Sequence, residues 1–497
     1  MYKKILIANR GNIATNIIRA CKEMGIETVG VFTDIDKKSI HTRYADKAYF
    51  LGRAQYGEDY NRIDKIIEIA QKEKVEAIHP GFGFLAQNLD FIRQCEELKI
   101  DIIGESFDDM KLFTDKVKVK SIAQNIKIPV IEGKVINNIE DIKKLRFPVL
   151  FKPCSGYAGR GIRYVENYEE GVKKFEIASK EAGYLFNNPE IYAEEYIDNT
   201  YLLEVCAVGN GKNIVCLPVT DSSLRRKFQK VVSESPAEYI DIKIRKKVMD
   251  YARKLAAELK IKNIGNFEFL VSKKDIYFLE FNPRLPLAYG VSEMLTGFNL
   301  IKEQISVKKE GKITVEETAL EKINSNVFEC RINAENYFEK FSPCSGRISK
   351  LIIPGGKDVR VEFDYFNDDE VSSHYDSQIA RIIVKTAKRA EMVNKIRWVL
   401  AQTKISGIFT TLPFLENVVN TKLFSEGKIV SDFITHVMRE RRFKKVREKE
   451  YAAAIVGALA FHTENEKRKI IPRINSSKRD FSPWNLIGRT KIIKKWE

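Results

Sequence analysis

The chain has 497 residues, of which 44% are apolar, and a formal net charge of +16. This length and apolar content predict a large soluble, enzyme-like chain with substantial cores in about three domains. The longest strongly apolar run, residues 451–461, is far shorter than the ~20 residues of a membrane span, so we expect no membrane segment.

The cysteines and the first residues bear on the compartment. Seven scattered cysteines, with no C-x-x-C pair, fit a reducing cytoplasm and argue against a zinc site. Because Met1-Tyr-Lys-Lys leads directly into the apolar stretch ILIAN, we expect no secretory signal. The sequence therefore predicts a cytoplasmic protein.

Residues 1 to about 110 alternate apolar strands with helical stretches. The predicted strands are KKILIAN, ETVGVFT, AIHPG and DIIG. Such alternation is typical of a parallel α/β unit. The segment NRGNIA resembles a strand-to-helix turn, but it lacks G-x-G-x-x-G and predicts no dinucleotide binding.

Two lysines and a loop of small residues indicate a phosphate site. The apolar stretch FPVLF ends in Lys152, and Lys116 in TDKVKVK is a second candidate phosphate lysine. The loop after Lys152 contains Gly156, Gly159 and Gly161. Small residues let backbone N–H groups approach phosphate oxygens, which a lysine can neutralise. Glu194, in IYAEEYI, marks a place for adenine, while a glycine-rich loop alone also fits an ordinary hairpin turn.

Residues 267–294 contain an oxygen-rich ligand set. The strands FEFLV and IYFLEFN, joined by residues 272–275, are predicted to form a half-buried hairpin. Side chains alternate across a strand, so Glu280 and Asn282 face the same way, and Glu268 on the partner strand can join them. Two carboxylates and an amide oxygen suit Mg²⁺, which ATP phosphates often complete. A solvated face with ordinary surface acids is the alternative.

These residues, in this order, resemble an ATP-grasp enzyme and specifically the biotin carboxylase family. Several blocks carry the resemblance from residue 1 to about residue 440: ILIANRGNIA, IHPGFGFLAQN, RRKFQKVV, FLEFNPR, EMLTGFNLIKEQ and ECRINAE. ECRINAE followed by HYDSQIA is not expected in carbamoyl-phosphate synthetases or purine-pathway ligases, which share only the nucleotide half.

The resemblance implies an α/β fold with the biotin carboxylase architecture. The expected parts are an N-terminal parallel α/β domain over 1–110, an ATP-grasp domain over 111–325 with its lid at about 133–203, a C-terminal mixed α/β domain over 326–442, and a basic tail over 443–497.

The resemblance also implies a role for each candidate residue. The ATP-binding residues would be Lys116, Lys152, Gly156, Gly159, Gly161 and Glu194, and Glu268, Glu280 and Asn282 would hold Mg²⁺, or Mn²⁺ in its place. Lys230, Arg284 and Arg331 would hold bicarbonate, the carboxyphosphate intermediate and the ureido oxygen of biotin, since cations bring anions together and stabilise an enolate-like oxygen. A surface ion pair is the alternative for each arginine.

One departure from the family pattern affects the chemistry directly. The family has Asn-x-Arg-x-Gln-Val-Glu-His, with that glutamate acting as the base on bicarbonate. This chain has Asn-Pro-Arg-Leu-Pro-Leu-Ala-Tyr, so Ala288 stands at the base position and cannot accept a proton. General-base assistance is typically worth ~10² to 10⁴ in rate, so we expect a degenerate bicarbonate site and impaired carboxylation.

Further departures accompany Ala288. Phe228 and Leu202 replace family histidines, and Glu195 follows Glu194 where a lysine is common. The lid loop has Tyr157 and Ala158 where the family has glycines. A divergent but active member of the family is the alternative interpretation.

The composition changes near residue 440. From Arg439 to Glu497 there are 17 Lys and Arg against 7 Asp and Glu. The helix-like YAAAIVGALAF, with Trp484 and Trp496, suits docking onto an acidic partner, and a disordered tail is the alternative. The tail contains no recognised nucleic-acid motif, so we expect no nucleic-acid partner.

The expected partners follow from what the sequence lacks. No segment resembles the biotin-accepting Ala-Met-Lys-Met turn, so biotin would be a substrate on a separate carrier protein. Carboxyltransferase subunits, a second biotin carboxylase chain and an oligomeric assembly are also expected. Two function classes stay open: ATP- and bicarbonate-dependent carboxylation of biotin, and a non-catalytic subunit that holds or regulates a carboxylase complex.

Overall fold

The computed structural model describes residues 1–54, 59–154, 161–186, 188–226, 228–273 and 275–435, together with 456, 457, 459 and 460. Contacts divide the chain into two compact units, Met1–Glu440 and Arg441–Glu497. Among the residues described, no helix is both long and apolar enough to cross a membrane. Several predicted features lie outside the described residues: Gly156, Gly159, Tyr157, Ala158, most of YAAAIVGALAF, Trp484 and Trp496.

A parallel sheet forms the first part of the chain, as the alternating pattern predicts. Its strands are β1 Lys4–Ile7, β2 Glu27–Thr33, β3 Lys47–Gly52, β4 Ala77–His79 and β5 Asp101–Ile102, in the order β3-β2-β1-β4-β5. Its helices are α1 Gly11–Glu23, α2 Ile40–Tyr44, α3 Ile63–Glu73, α4 Leu89–Glu97 and α5 Phe107–Phe113, with a 3-10 turn at Phe84–Gln87. Strand β3 was not predicted from the sequence, because this edge strand buries only Leu51 and its apolar pattern is weak.

A small antiparallel sheet follows, which we call the lid sheet. Helix α6 is Lys116–Asn125, and the lid sheet consists of β6 Gly133–Ile136, β7 Val149–Pro153, β8 Arg163–Val165 and β9 Ile191–Glu195, in the order β6-β9-β7-β8. Helices α7 Ile139–Ile142 and α8 Tyr168–Phe186 accompany it. Helix α6 begins at Lys116 because the Asp115 side chain caps it by accepting from the Lys118 backbone N–H.

A large antiparallel sheet is formed by strands that lie within residues 201–386. Its strands are β10 Tyr201–Gly209, β11 Ile214–Cys216, β12 Thr220–Asp221, β15 Val232–Ser235, β16 Ile264–Ser272, β17 Asp275–Asn282, β18 Asn326–Asn333, β23 Val359–Phe363 and β25 Gln378–Thr386. The order is β17-β16-β10-β12-β15-β18-β25-β23, with β11 paired to β10. The sheet continues from the predicted metal hairpin into the C-terminal residues.

Short strands pair in twos around the large sheet. They are β13 Arg225–Arg226 with β14 Gln229–Lys230, β19 Glu335–Asn336 with β20 Ser342–Pro343, β21 Gly346–Arg347 with β24 Glu370–Val371, and β22 Lys350–Ile352 with β26 Lys404–Ser406. The helices are α9 Ile242–Leu259, α10 Tyr289–Thr296, α11 Leu300–Glu310, α12 Glu317–Leu320, α13 Arg389–Gln402, α14 Leu412–Val419 and α15 Lys422–Ser425, with a 3-10 turn at Tyr337–Glu339.

Candidate active site

The β16–β17 hairpin brings the three predicted metal ligands together. Glu268 lies opposite Glu280 in the antiparallel register, and a register shift follows Glu268. Phe267 and Phe281 stack at 4.4 Å on the other face, within the core, so the acid set points away from it. The Asn282 amide Nδ2 donates to Glu268 Oε1 at 3.0 Å and to Glu280 Oε1 at 3.1 Å.

The donor set fits a hard divalent cation. Two carboxylates and one amide supply the oxygen ligands that magnesium prefers. In this structure the amide directs Nδ2 toward the carboxylates, and Asn282 Oδ1 accepts from Arg284 Nη2 at 3.2 Å. Magnesium would therefore require the Asn282 amide to turn, so that Oδ1 replaces Nδ2 beside Glu268 and Glu280.

Lys230 is shared between two buried carboxylates. Its Nζ lies 2.7 Å from Glu268 Oε1 and 2.7 Å from Glu204 Oε2. Burial raises the pKa of Glu268 to about 7, and repulsion from Glu204 and Glu280 adds to this rise while Lys230 opposes it. Burial disfavours the Lys230 ammonium, but the two carboxylates outweigh it and raise the Lys230 pKa.

Glu204 was not among the site residues predicted from the sequence. It lies on β10 directly opposite Glu268, and Asn266 Nδ2 donates to its Oε2 at 2.6 Å. The available signal was a single charged residue within the otherwise uncharged strand YLLEVCAVG. A buried charge in such a strand needs a partner, and Lys230 provides it.

Lys116, on helix α6, contacts the β16–β17 hairpin. Its Nζ lies 3.4 Å from Glu280 Oε2. Burial disfavours the charged form of Glu280, but Lys116, the Asn282 hydrogen bond and Lys152 outweigh this effect and lower the Glu280 pKa to about 2. Glu280 is therefore a carboxylate at neutral pH, as a cation ligand must be.

A cavity lies between α6, the lid sheet and β17. The predicted ATP residues Lys116, Lys152 and Glu194 all line it, together with Val117, Lys120, Pro153, Cys154, Tyr192, Leu279 and Glu280. Lys152 Nζ and Lys120 Nζ contact different oxygens of the Glu194 carboxylate, which is 1% exposed. Three ammonium groups and two carboxylates meet here, so the cavity favours an anionic ligand.

Burial lowers the pKa of two lysines that line this cavity, Lys152 and Lys120. Burial, followed by repulsion from Lys120 and Lys116, lowers the pKa of Lys152. Burial and Lys116 lower the pKa of Lys120 to about 7, while the Glu280 carboxylate opposes this shift. Lys120 was not predicted from the sequence, although it follows Lys116 by four residues and so shares its face of α6.

Arg284 contacts Asn282 of the acid set, and Arg331 contacts the backbone of Lys230, whose ammonium pairs with Glu268. Arg284 Nε donates to Gln87 Oε1 at 3.0 Å, and burial lowers the Arg284 pKa against the effect of Glu268 and Glu280. Arg331 Nε lies 2.8 Å from Glu329 Oε1, and its Nη1 donates to the Lys230 carbonyl oxygen at 3.3 Å. Arg331 Nη2 is buried and has no hydrogen-bond partner among the described residues, which leaves a donor for a ligand.

Ala288 occupies an apolar environment at the base position. It immediately precedes α10, is 4% exposed, and belongs to a buried cluster whose other members are Val291, Leu295, Val327 and Ile383. An alkyl side chain among aliphatic neighbours neither accepts nor donates a proton. A carboxylate that stayed buried among these aliphatic side chains would therefore be costly unless a cation paired with it.

The structure also shows where the other departures from the family pattern lie. Phe228 lies in the turn between β13 and β14 with φ of 66°, an uncommon conformation for a residue other than glycine. Leu202 on β10 packs with Ile131 and Leu270. Gly161, the one described loop glycine, has φ of 75°, which glycine adopts without strain.

Comparisons with known proteins cover nearly the whole of the larger unit. The chain matches the biotin carboxylase N-terminal domain over residues 1–110, the ATP-binding domain of the carbamoyl-phosphate synthase L chain over 115–315, and the biotin carboxylase C-terminal domain over 329–436. The second of these is the ATP-grasp segment expected from the resemblance.

Individual relatives are similar over most of their length. Biotin carboxylase 1 of Bacillus subtilis is 35% identical, over 87% of this chain and 98% of its own. The small subunit of 2-oxoglutarate carboxylase from Hydrogenobacter thermophilus is 34% identical, over 92% of this chain and 98% of its own.

A solved structure shows the same fold. It is the biotin carboxylase domain dimer of Hydrogenobacter thermophilus 2-oxoglutarate carboxylase, in complex with MgADP, ADP and bicarbonate. The TM-score is 0.83 at 34% identity, with 88% of this chain and 98% of that chain covered. By these matches in sequence and fold, the chain belongs to the biotin carboxylase family.

Proposed function

We propose that the chain binds Mg·ATP between the lid sheet and the β16–β17 hairpin. The observation that carries this proposal is the cavity where Lys116, Lys152 and Glu194 meet Glu280 of the metal-ligand set. Lysines form charge-assisted contacts with phosphate oxygens, and Glu194 provides an acceptor for an adenine amino group. Magnesium held by Glu268, Glu280 and Asn282 would bridge phosphate oxygens and neutralise their charge.

The proposed role is that of a biotin carboxylase-like subunit in a multisubunit biotin-dependent carboxylase. Its substrates would be ATP, bicarbonate and biotin on a separate carrier protein, and a carboxyltransferase would be a second partner. Support comes from the relative whose solved structure contains MgADP and bicarbonate. In this chain, Lys230, Arg284 and Arg331 supply the cations that would hold bicarbonate and stabilise developing negative charge.

Carboxylation is proposed to be impaired. Ala288 lies among aliphatic side chains, and neither Phe228 nor Leu202 offers a proton acceptor. This observation also favours the second candidate function, a non-catalytic subunit that binds nucleotide and holds or regulates a carboxylase complex. The two candidates share the nucleotide site and differ only in whether biotin is carboxylated.

Calorimetric titration with a non-hydrolysable ATP analogue and magnesium tests the shared claim. The full chain should bind the analogue, and Lys152→Met and Glu280→Gln should each weaken binding at least about tenfold, because each loses a charged contact. Lys118→Met is the matched control, because Lys118 is exposed on α6 and, within the described part of the chain, pairs only with Asp115. Absence of binding at millimolar analogue, in folded protein, would remove the nucleotide claim.

A further inference from the structure

The nucleotide cavity contains a lysine to which the proposed function gives no role. Lys120 lies one turn after Lys116 on α6, and its side chain is 9% exposed. Its Nζ contacts Glu194 Oε1 and lies 5.1 Å from the centre of the Tyr192 ring. Both partners belong to β9, so Lys120 connects helix α6 to the lid sheet.

Glu194 already has a cation from its own sheet. Strands β7 and β9 are antiparallel neighbours, and Lys152 Nζ contacts Glu194 Oε2. Both carboxylate oxygens are therefore engaged by ammonium groups. Lys152 and Glu194 lie on paired strands of the same sheet, whereas Lys120 lies on helix α6. Only the Lys120 contact depends on how the lid sheet lies against α6.

The two lysines of α6 face different carboxylates of the cavity. Lys116 pairs with Glu280, the predicted metal ligand, while Lys120 pairs with Glu194, the predicted adenine acceptor. The Lys120 ammonium occupies one of the two oxygens of the Glu194 carboxylate.

We propose that Lys120 is a gating residue of the nucleotide cavity, whose ammonium holds the lid sheet to α6 and competes with the nucleobase for Glu194. The proposal rests on the proposed nucleotide function. Binding of ATP has to break the Lys120–Glu194 contact, which lowers the affinity. It also weakens discrimination between adenine, which carries an exocyclic amino group, and hypoxanthine, which carries a carbonyl oxygen at that position.

The test compares Lys120→Met, which keeps much of the side-chain length without the charge, with the exposed control Lys118→Met. Calorimetry measures the affinity of each full-length protein for ATP and inosine triphosphate, with magnesium. Lys120→Met should bind ATP about tenfold more tightly, the factor that one charge-assisted hydrogen bond typically contributes. The affinity for inosine triphosphate should rise less, and the control should match the wild type.

Hydrogen exchange of the nucleotide-free proteins gives an independent readout of the lid contact. Amides in β6, β7 and β9 should exchange faster in Lys120→Met than in wild type or Lys118→Met. Weaker ATP binding by Lys120→Met would overturn the proposal and make Lys120 a phosphate ligand, and unchanged affinity and exchange would overturn it as well. If neither the wild type nor any variant binds nucleotide, the proposed function fails. In that case, faster exchange in Lys120→Met would still support the contact between Lys120 and the lid sheet. Unchanged exchange in Lys120→Met would refute that contact.

Discussion

Arg381 and Leu287 are joined by a hydrogen bond, in which Arg381 Nη2 donates to the Leu287 carbonyl oxygen at 2.8 Å. Arg381 is 2% exposed and also forms ion pairs with Glu329 and Glu362. The backbone one residue before Ala288 is therefore fixed by a buried network. A substitution at position 288 changes the side-chain chemistry on a backbone that is already held in place.

Restoring the family motif should increase biotin-dependent ATP cleavage. The substitutions are Pro286→Gln, Leu287→Val and Ala288→Glu, which return a general base worth ~10² to 10⁴ in rate. Because Phe228 remains, we expect a smaller gain of about tenfold or more. The measurement is ADP release in the presence of biotin and bicarbonate.

The control for this restoration is the same triple variant with Ala288→Gln, which has nearly the same size but no basic carboxylate. Equal activity of the two variants would show that the missing base does not limit the reaction. A thermal melt of both proteins is needed, since position 288 packs among aliphatic side chains and a carboxylate there is costly if it stays buried.

Removing Arg381 should strongly destabilise the larger unit. Arg381→Met leaves Glu329 and Glu362 without this guanidinium, and breaking a buried pair in this way typically costs about 3–5 kcal/mol. The measurement is the free energy of unfolding in urea. Arg347→Met, which removes an exposed pair with Asp368, should change stability by less than about 1 kcal/mol. Similar losses in both variants would contradict the assignment of Arg381 to a buried network.

The proximity of Glu268, Glu280 and Asn282 was predictable, because it depends on local geometry. Alternation along β17 places Glu280 and Asn282 on one face, and the short turn brings Glu268 opposite Glu280. The position of Glu204 opposite Glu268 could not be predicted in this way, because it depends on how β10 pairs with β16. The sequence of neither strand alone determines that register. Lys120 was missed because its partner, Glu194, lies 74 residues away.

The apolar neighbours of Ala288 could not be predicted from the sequence either. The motif shows that the glutamate is absent, but Val327 and Ile383, which join the cluster around Ala288, come from β18 and β25. Edge strand β3 was missed for a different reason, because its exposed face weakens the apolar pattern. Contacts within the hairpin could therefore be predicted from the sequence, whereas the partners of Glu204, Lys120 and Ala288 could not.

The stability of the protein should fall as the pH decreases below about 6.5, in part because of His79. Burial lowers the pKa of His79 to about 3 from its ordinary value of 6.5. Between these values the unfolded chain binds a proton that the native protein does not, so stability falls by about 1.4 kcal/mol per pH unit. His79→Asn should remove this contribution, and Asn can still accept from the Gly81 N–H as His79 Nδ1 does.

Urea unfolding at pH 7, 6 and 5 measures this effect. The slope of stability against pH should be shallower in His79→Asn than in wild type, while the exposed control His374→Asn should keep the wild-type slope. Identical slopes in all three proteins would show that His79 is not kept neutral by burial.

The basic tail is predicted to dock onto another subunit. Truncation after residue 445 should leave the melting temperature of the larger unit nearly unchanged, since the chain divides into separate compact units at residues 440 and 441. Co-purification with native partners should be lost, and in the full-length protein it should weaken with salt, because screening acts over ~8 Å at physiological ionic strength. Retention of every partner, or unfolding of the larger unit, would refute the docking role.

The most direct measurement is ADP release by the unmodified full-length protein at saturating Mg·ATP, with and without bicarbonate and free biotin, in a preparation shown by calorimetry to bind the nucleotide. We predict that nucleotide binds and that the increase in ADP release caused by bicarbonate and biotin together is close to background, because Ala288 provides no base. Robust stimulation that requires both substrates would contradict this account and would mean that another group accepts the proton.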